Sequence, residues 1–259
     1  MSERGMSSAV TERASFILAD NPGIMTLDGT NTWILREPGS PRAVVVDPGP
    51  DLAEHVDAVV AAAGEVALVL FTHHHWDHTD ALGSIVKATG APTRAISPEF
   101  SQGADPLVDG ERIEVDGLLI DVVAAPGHTQ DSVAFVLPQD RALLSGDMVL
   151  GRGTTVVAHP DGALGPYLES LRRFRALVTD GHAATILPGH GPVVEDPAAH
   201  LDFYLSHREE RLEQVRTARS RGAVTARDVV ELVYADVDPV LWDAAEASVR
   251  AQLEYLDAN

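Results

Sequence analysis

No cysteine occurs in the 259 residues, so this chain can form neither a disulfide framework nor a thiolate-ligated metal site. Basic residues are scarce: 19 lysines and arginines stand against 39 aspartates and glutamates, a formal net charge of −20. That balance excludes a general attraction to nucleic acid or an anionic membrane, and a polyanionic substrate needs a local basic patch to overcome the field. No apolar run is long enough to span a bilayer, and Met1 to Val10 lacks the apolar stretch of a secretory signal. Internal repeats and low-complexity linkers are absent as well. A cytoplasmic protein with no membrane partner is the expectation. What remains is an apolar fraction of 45% in a chain long enough for a sizeable core, one large domain with a small appendage.

Apolar runs mark strands at Thr32–Leu35, Arg42–Asp47, Val66–Thr72, Thr93–Ser97 and Arg112–Val115. Others lie at Leu118–Ala124, Val133–Leu137, Ala142–Ser145 and Thr185–Leu187. Between them, Asp51 reads as the N-cap of a helix whose apolar stripe is Leu52, Val56, Val59, Val60 and Ala63. Asp80–Thr89 and Pro166–Val178 read as two more helices, so the fold class is α/β. After Pro197 the composition turns helical and charged. Gly222 breaks the first helix there, Thr225 caps Ala226–Val233, and Pro239 precedes a last helix reaching Leu256. This divides the chain into domains at 1–197 and 198–259.

The densest chemical signal is Thr72-His73-His74-His75-Trp76-Asp77-His78, directly after a buried strand. His128 in Pro126-Gly127-His128, Asp147 in Ser145-Gly146-Asp147 and His190 in Pro188-Gly189-His190 each follow another strand and sit beside glycine. That repeated placement brings them to one sheet edge, with room near a metal. Imidazole and carboxylate donors suit two divalent cations, zinc above all, with manganese or iron also compatible. His73, His75 and His128 form one site and Asp77, His78 and His190 the other. Asp147 bridges them, since a carboxylate has two oxygens. His73 and His75 alternate and share a face, so His74 points away. His55, His159, His182, His200 and His207 fall outside the pattern and read as surface residues. Asp47 is either a turn residue or the acceptor that orients a ligating histidine.

These motifs resemble the metallo-β-lactamase superfamily over about Gly23 to Val194. The ribonuclease-like subgroup with a C-terminal winged helix is similar through Thr26-Leu27-Asp28-Gly29-Thr30-Asn31-Thr32, through Gly151-Arg152-Gly153-Thr154-Thr155-Val156, and through the tail from Thr225 to Leu253. The resemblance implies a four-layer αβ/βα sandwich with a dinuclear site at one edge, and a helical, winged-helix-like subdomain truncated where the family continues into a strand pair. It implies a dinuclear hydrolase in which the cations lower the pKa of a bound water and Asp77 also orients the nucleophile or takes its proton. For the substrate, three readings stand. The first is a phosphodiester of single-stranded RNA, with Arg152 on a phosphate and Thr30, Asn31, Thr154 and Thr155 donating hydrogen bonds. The second is a small thioester or ester, as in the glyoxalase II branch. The third is a non-catalytic, metal-stabilised binding module. Arg172, Arg173 and Arg175 read as a solvated helix face.

Overall fold

The computed structural model describes residues 7–235 and 238–259, so the first six residues of the amino-terminal segment read above lie outside the described residues. Six strands, Ser8–Ala9 (β1), Ala14–Leu18 (β2), Asn31–Leu35 (β3), Arg42–Val46 (β4), Glu65–Leu70 (β5) and Thr93–Arg94 (β6), form one sheet in chain order. The first three pairings are antiparallel, and β4–β5 and β5–β6 are parallel. A second sheet holds Arg112–Val115 (β7), Leu118–Ala124 (β8), Val133–Leu137 (β9), Ala142–Gly146 (β10) and Thr185–Pro188 (β11). Its order is β11-β10-β9-β8-β7, with only β10–β11 parallel.

Strand alternation assigns side chains to layers. Val44 and Val46 of β4 enter the core between the sheets, against Val122, Phe135 and Leu144, while Val45 faces the other way. There it meets Val56 and Val59 of α1 (Ala53–Ala63) and Ile85 of α3 (Leu82–Thr89). On the second sheet, Val136, Leu143 and Ile186 face α4 (Leu164–Thr179), α5 (Pro197–Ser220) and α7 (Trp242–Ala258), through Leu171, Phe174, Leu201, Tyr204 and Ala251. The result is helix, sheet, sheet, helix. The central strands β3, β4, β9 and β10 are covered on both faces and almost wholly buried, which is why they read as continuous apolar runs.

Helix α5 belongs to two cores. Its Leu201 and Tyr204 pack on the second sheet, whereas Val215 and Ala218 close a smaller core with Val229 and Val230 of α6 (Ala226–Val233) and Val249 of α7. The start of α6 is fixed as the sequence implies. Thr225 Oγ1 accepts from Asp228 N at 3.1 Å, and Asp228 Oδ2 accepts from Thr225 N at 2.8 Å, a reciprocal cap. Among the described residues no helix is long and apolar enough to cross a membrane.

Four expectations are corrected. The first hairpin, β1–β2, is absent from the sequence reading, because its short strands are half-exposed and polar at one end. Helix α1 begins at Ala53 with Leu52 at its cap and no side-chain cap, because a tight turn from Leu52 N to Pro50 O (2.7 Å) moves the start beyond Asp51. The helix expected at Asp80–Thr89 begins only at Leu82 (α3), after a separate turn α2 (Trp76–Thr79), and the Thr93 strand stops at Arg94 before a turn at Pro98–Phe100. Finally, of the five histidines read as surface residues only His182 is exposed, and His55 is buried. His55 Nε2 lies 2.8 Å from Thr32 Oγ1, and burial pushes its pKa down to about 4 despite a backbone hydrogen bond to Pro48.

Candidate metal centre

Each strand that runs toward one edge of the sandwich hands a polar residue to that edge. Asp47 follows β4, His73 follows β5, His128 lies in the loop after β8, Asp147 follows β10 and His190 follows β11. The single turn of α2 reverses the chain directly after His75 and turns Asp77 and His78 inward, where both are buried. All seven residues read from the sequence as metal ligands therefore converge.

The first group is His73, His75 and His128, whose nitrogens lie within 4.8 Å of one another. Thr72 donates its hydroxyl to Asp47 Oδ2 (2.7 Å), so toward His73 Nδ1, 3.0 Å away, it can only accept. His73 therefore carries its proton on Nδ1 and presents a bare Nε2. His128 Nδ1 lies 2.8 Å from the Val156 carbonyl, which can only accept, so its Nε2 is bare as well. Both Nε2 atoms lie close to His75 Nδ1, at 3.0 and 3.1 Å. One proton on His75 satisfies only one of them, and the remaining lone pairs are left facing each other. A cation at their centre resolves that repulsion.

The second group is Asp77, His78 and His190. His78 Nδ1 is held by Asp47 Oδ2 at 2.8 Å and His190 Nδ1 by the Gly29 carbonyl at 2.9 Å, which aims both Nε2 atoms inward. Asp77 Oδ2 lies 3.0 Å from His190 Nε2 and 3.5 Å from His78 Nε2. Asp147 reaches both groups: Oδ1 is 3.5 Å from His78 Nε2, and Oδ2 is 3.3 Å from His190 Nε2 and 3.9 Å from His128 Nε2. His78 Nε2, Asp147 Oδ1 and His190 Nε2 are nonetheless buried without an aligned hydrogen-bond partner. Buried polar atoms are ordinarily satisfied. Orphans that point at one another fit a divalent cation, and the donor chemistry agrees.

The two groups differ electrostatically. Burial, reinforced by the neighbouring imidazoles, holds His73 well below its ordinary range and His75 at about 4. Burial also lowers His128, so the three are neutral donors. Burial opposes charge on His78 and His190 too, but there the carboxylates win. Asp147 with Asp47 and Asp77 raises His78 well above its ordinary value, and Asp147 with Asp77 raises His190 from 6.5 to about 10. Without metal, a proton therefore occupies the second group. A raised histidine pKa stabilises the metal-free fold fully below pH 6.5, and that contribution is lost as pH climbs toward about 10. Cation binding must expel the proton. Affinity for zinc should accordingly rise with pH up to about 10, with proton release near neutrality. Calorimetry in buffers of different ionisation enthalpy measures that release, and heats independent of the buffer at pH 7 would contradict the assignment.

The residues read as substrate contacts fall into two sets. Thr30 and Asn31 are buried and engaged by the fold. Thr30 Oγ1 accepts from Asn21 Nδ2 (3.0 Å), and Asn31 Nδ2 donates to the carbonyls of Pro188 (3.0 Å) and Gly191 (2.9 Å), on either side of His190. Thr155 donates to the Asp147 carbonyl at 2.7 Å. Thr154 and Arg152 line a cavity of about 240 Å³ that opens onto His128 and Asp147, and Arg152 forms an ion pair with Asp28. His74 turns away from the centre, as its parity implies. Its Nδ1 lies 2.7 Å from Asp131 Oδ1 and its Nε2 3.4 Å from Asp161 Oδ2. Arg173 and Arg175 pair with Asp109 and Asp202 on the outer helix face. The sequence reading missed Thr72, which relays Asp47 to His73, and the carbonyls of Gly29 and Val156. A backbone acceptor has no sequence signal. Asp47, read as either a turn residue or a support, contacts His78 directly.

A model described as the metallo-beta-lactamase superfamily matches residues 25–190, and one described as the beta-lactamase associated winged helix domain matches residues 225–259. A beta-lactamase-like protein 2 homolog of Caenorhabditis elegans is 32% identical, covering 97% of this chain and 85% of its own length. An atrochrysone carboxyl ACP thioesterase of Aspergillus chevalieri is 32% identical, over 88% of this chain and 75% of the relative. Among solved structures, a metallo-beta-lactamase family protein from Thermus thermophilus superposes with a TM-score of 0.79 at 23% identity, over 96% of this chain and 95% of that one.

Proposed function

The chain belongs to the metallo-β-lactamase superfamily of hydrolases, and from that premise we propose that it is a dinuclear metal-dependent hydrolase of a small ester or thioester. The observation that carries the substrate class is the wall of the cavity above Asp147. Ile24, Met25, Leu27, Leu150 and Val156 make it largely apolar, and its one guanidinium, Arg152, is already neutralised by Asp28. An apolar acyl group fits such a wall, whereas a polynucleotide backbone requires unpaired cations. The relative named as an ACP thioesterase supports the same class.

In this reading His73, His75 and His128 would hold one cation and Asp77, His78 and His190 the other, and Asp147, whose oxygens approach both groups, would serve either. All-nitrogen and oxygen donation suits zinc, with manganese or iron compatible. When bound, the pair supplies Lewis acidity and lowers the pKa of water toward neutrality. The protein's own groups do the rest. Asp47 and the carbonyls of Gly29 and Val156 fix the imidazole tautomers. The Asp77 carboxylate is kept ionised because His78 and His190 outweigh the effect of burial, which raises its pKa. As an anion it can accept a hydrogen bond from water and orient it. The apolar wall positions the acyl group. Residues 1–197 form the catalytic unit and 198–259 the helical unit, joined through α5.

The test is turnover of an S-phenyl thioester and of end-labelled single-stranded RNA by the zinc-loaded protein, with His78→Ala as control. Thioester cleavage with weak salt dependence, lost in the variant, is expected. RNA cleavage alone, lost in the variant and falling steeply with salt, would return the reading to a phosphodiesterase.

A further inference from the structure

Arg152 lines the cavity and pairs with Asp28, and the residue beside each is tied to the same histidine, His190. Gly29, next to Asp28, gives its carbonyl to His190 Nδ1 at 2.9 Å. Gly151, next to Arg152, donates its backbone N–H to the His190 carbonyl at 2.9 Å. The segments that carry the two side chains are thus both tied to His190, while the Arg152 side chain lines the cavity that opens onto His128 and Asp147. Both remain about half exposed, 56% for Asp28 and 50% for Arg152. Arg152 is the one guanidinium among the described residues lining the cavity, in a chain whose net charge is −20.

We propose that Asp28 is an exchangeable counter-ion, and that the substrate carries a carboxylate, remote from its scissile bond, which displaces Asp28 from Arg152. The inference rests on the ester or thioester reading for what enters the cavity, and adds that the substrate is an acid as well as an ester. The chemistry favours exchange. An exposed ion pair contributes little net stability, so replacing one carboxylate by another has a low cost. The guanidinium already holds a carboxylate through one N–H, and its planar fork can take both oxygens of a better-placed one. The apolar wall then accommodates the chain between the scissile group at the metals and the acid at Arg152. Asp28 thereby sets selectivity: it tolerates substrates that bring a replacement anion and gives no advantage to neutral ones.

Binding tests this separately from turnover. Calorimetry on the zinc-loaded protein compares hexanoate with adipate, a pair matched in length that differs by the second carboxylate. The wild type should prefer adipate. Asp28→Asn, by removing the competitor, should tighten adipate by about two- to fivefold, the range of an exposed ion pair, and leave hexanoate unchanged. Arg152→Gln should abolish the preference. Equal binding of the two acids, or an Asp28→Asn variant that changes neither, overturns the proposal. So does loss of zinc from Asp28→Asn, which would make the pair a brace for His190. The corresponding S-phenyl thioesters then separate the two readings. Adipate selectivity without thioester turnover leaves the counter-ion exchange standing and removes the ester or thioester reading. Turnover with no selectivity does the reverse.

Discussion

Asp147→Asn should lower bound zinc below two equivalents and reduce turnover by at least about 100-fold, with the fold intact. The substitution is nearly isosteric, so packing around the buried side chain is preserved. What changes is charge. Burial works to raise the Asp147 pKa, but His190 and His78 hold it well below the ordinary carboxylate range, so it is an anion in the native protein. It is also the residue whose two oxygens approach both donor groups, at 3.5, 3.3 and 3.9 Å from His78, His190 and His128. An amide offers one neutral oxygen and places an N–H where a lone pair is needed. Even outer partners of metal ligands cost about 10–100-fold in affinity or activity when lost, so a shared ligand should cost at least the upper end of that. Metal content by mass spectrometry, with kcat on the thioester, checks this. Two full equivalents together with a normal rate would remove Asp147 from its bridging role.

Gly189→Ala should disable the centre without adding or removing a single donor. A Cβ on Gly189 would stand 2.5 Å from Asp147 Oδ1 and 2.9 Å from His78 Cε1, closer than atoms pack, so both must shift. Its backbone is also tied down on both sides, with its N–H on Gly146 O at 3.0 Å and its carbonyl on Asn31 N at 2.8 Å. The added methyl therefore displaces the ligands and not the loop. A misplacement of about 1 Å in a catalytic constellation can cost about 10²-fold, and a loss of that order in kcat is expected, with near-wild-type circular dichroism. Gly83→Ala is the matched control. Gly83 is helical, and an added Cβ there meets nothing within 4 Å. That change should stabilise the protein by about 0.5–1 kcal/mol and leave the rate unaltered. If Gly189→Ala retains full activity, the tight packing of the ligands is not required for chemistry.

The convergence of the seven histidines and aspartates was legible because donor chemistry is carried by side-chain identity at fixed spacing. Alternation separated His73 and His75 from His74, and strand ends beside glycine marked His128, Asp147 and His190. The layers were legible for a related reason: strands buried on both faces are apolar throughout, and Val44, Val45 and Val46 need no further information to be placed in a strand. Local competition between backbone conformations was harder to read. Asp51 lost the cap to Leu52 through one tight turn, and His55, isolated in sequence, is enclosed only because Thr32 and Gly49 arrive beside it.

By itself, then, the sequence determined which atoms could bind a cation and which strands would carry them, since periodicity and donor type are properties of single residues and their neighbours. Tertiary structure alone decided the rest. It set the tautomer of each imidazole through Asp47, Thr72 and the carbonyls of Gly29 and Val156. It engaged Thr30 and Asn31 in the hydrogen-bonded frame around His190, and it set Asp28 against Arg152 across 124 residues. Those outcomes depend on which groups meet in space, and a backbone carbonyl or a long-range ion pair has no local pattern to announce it.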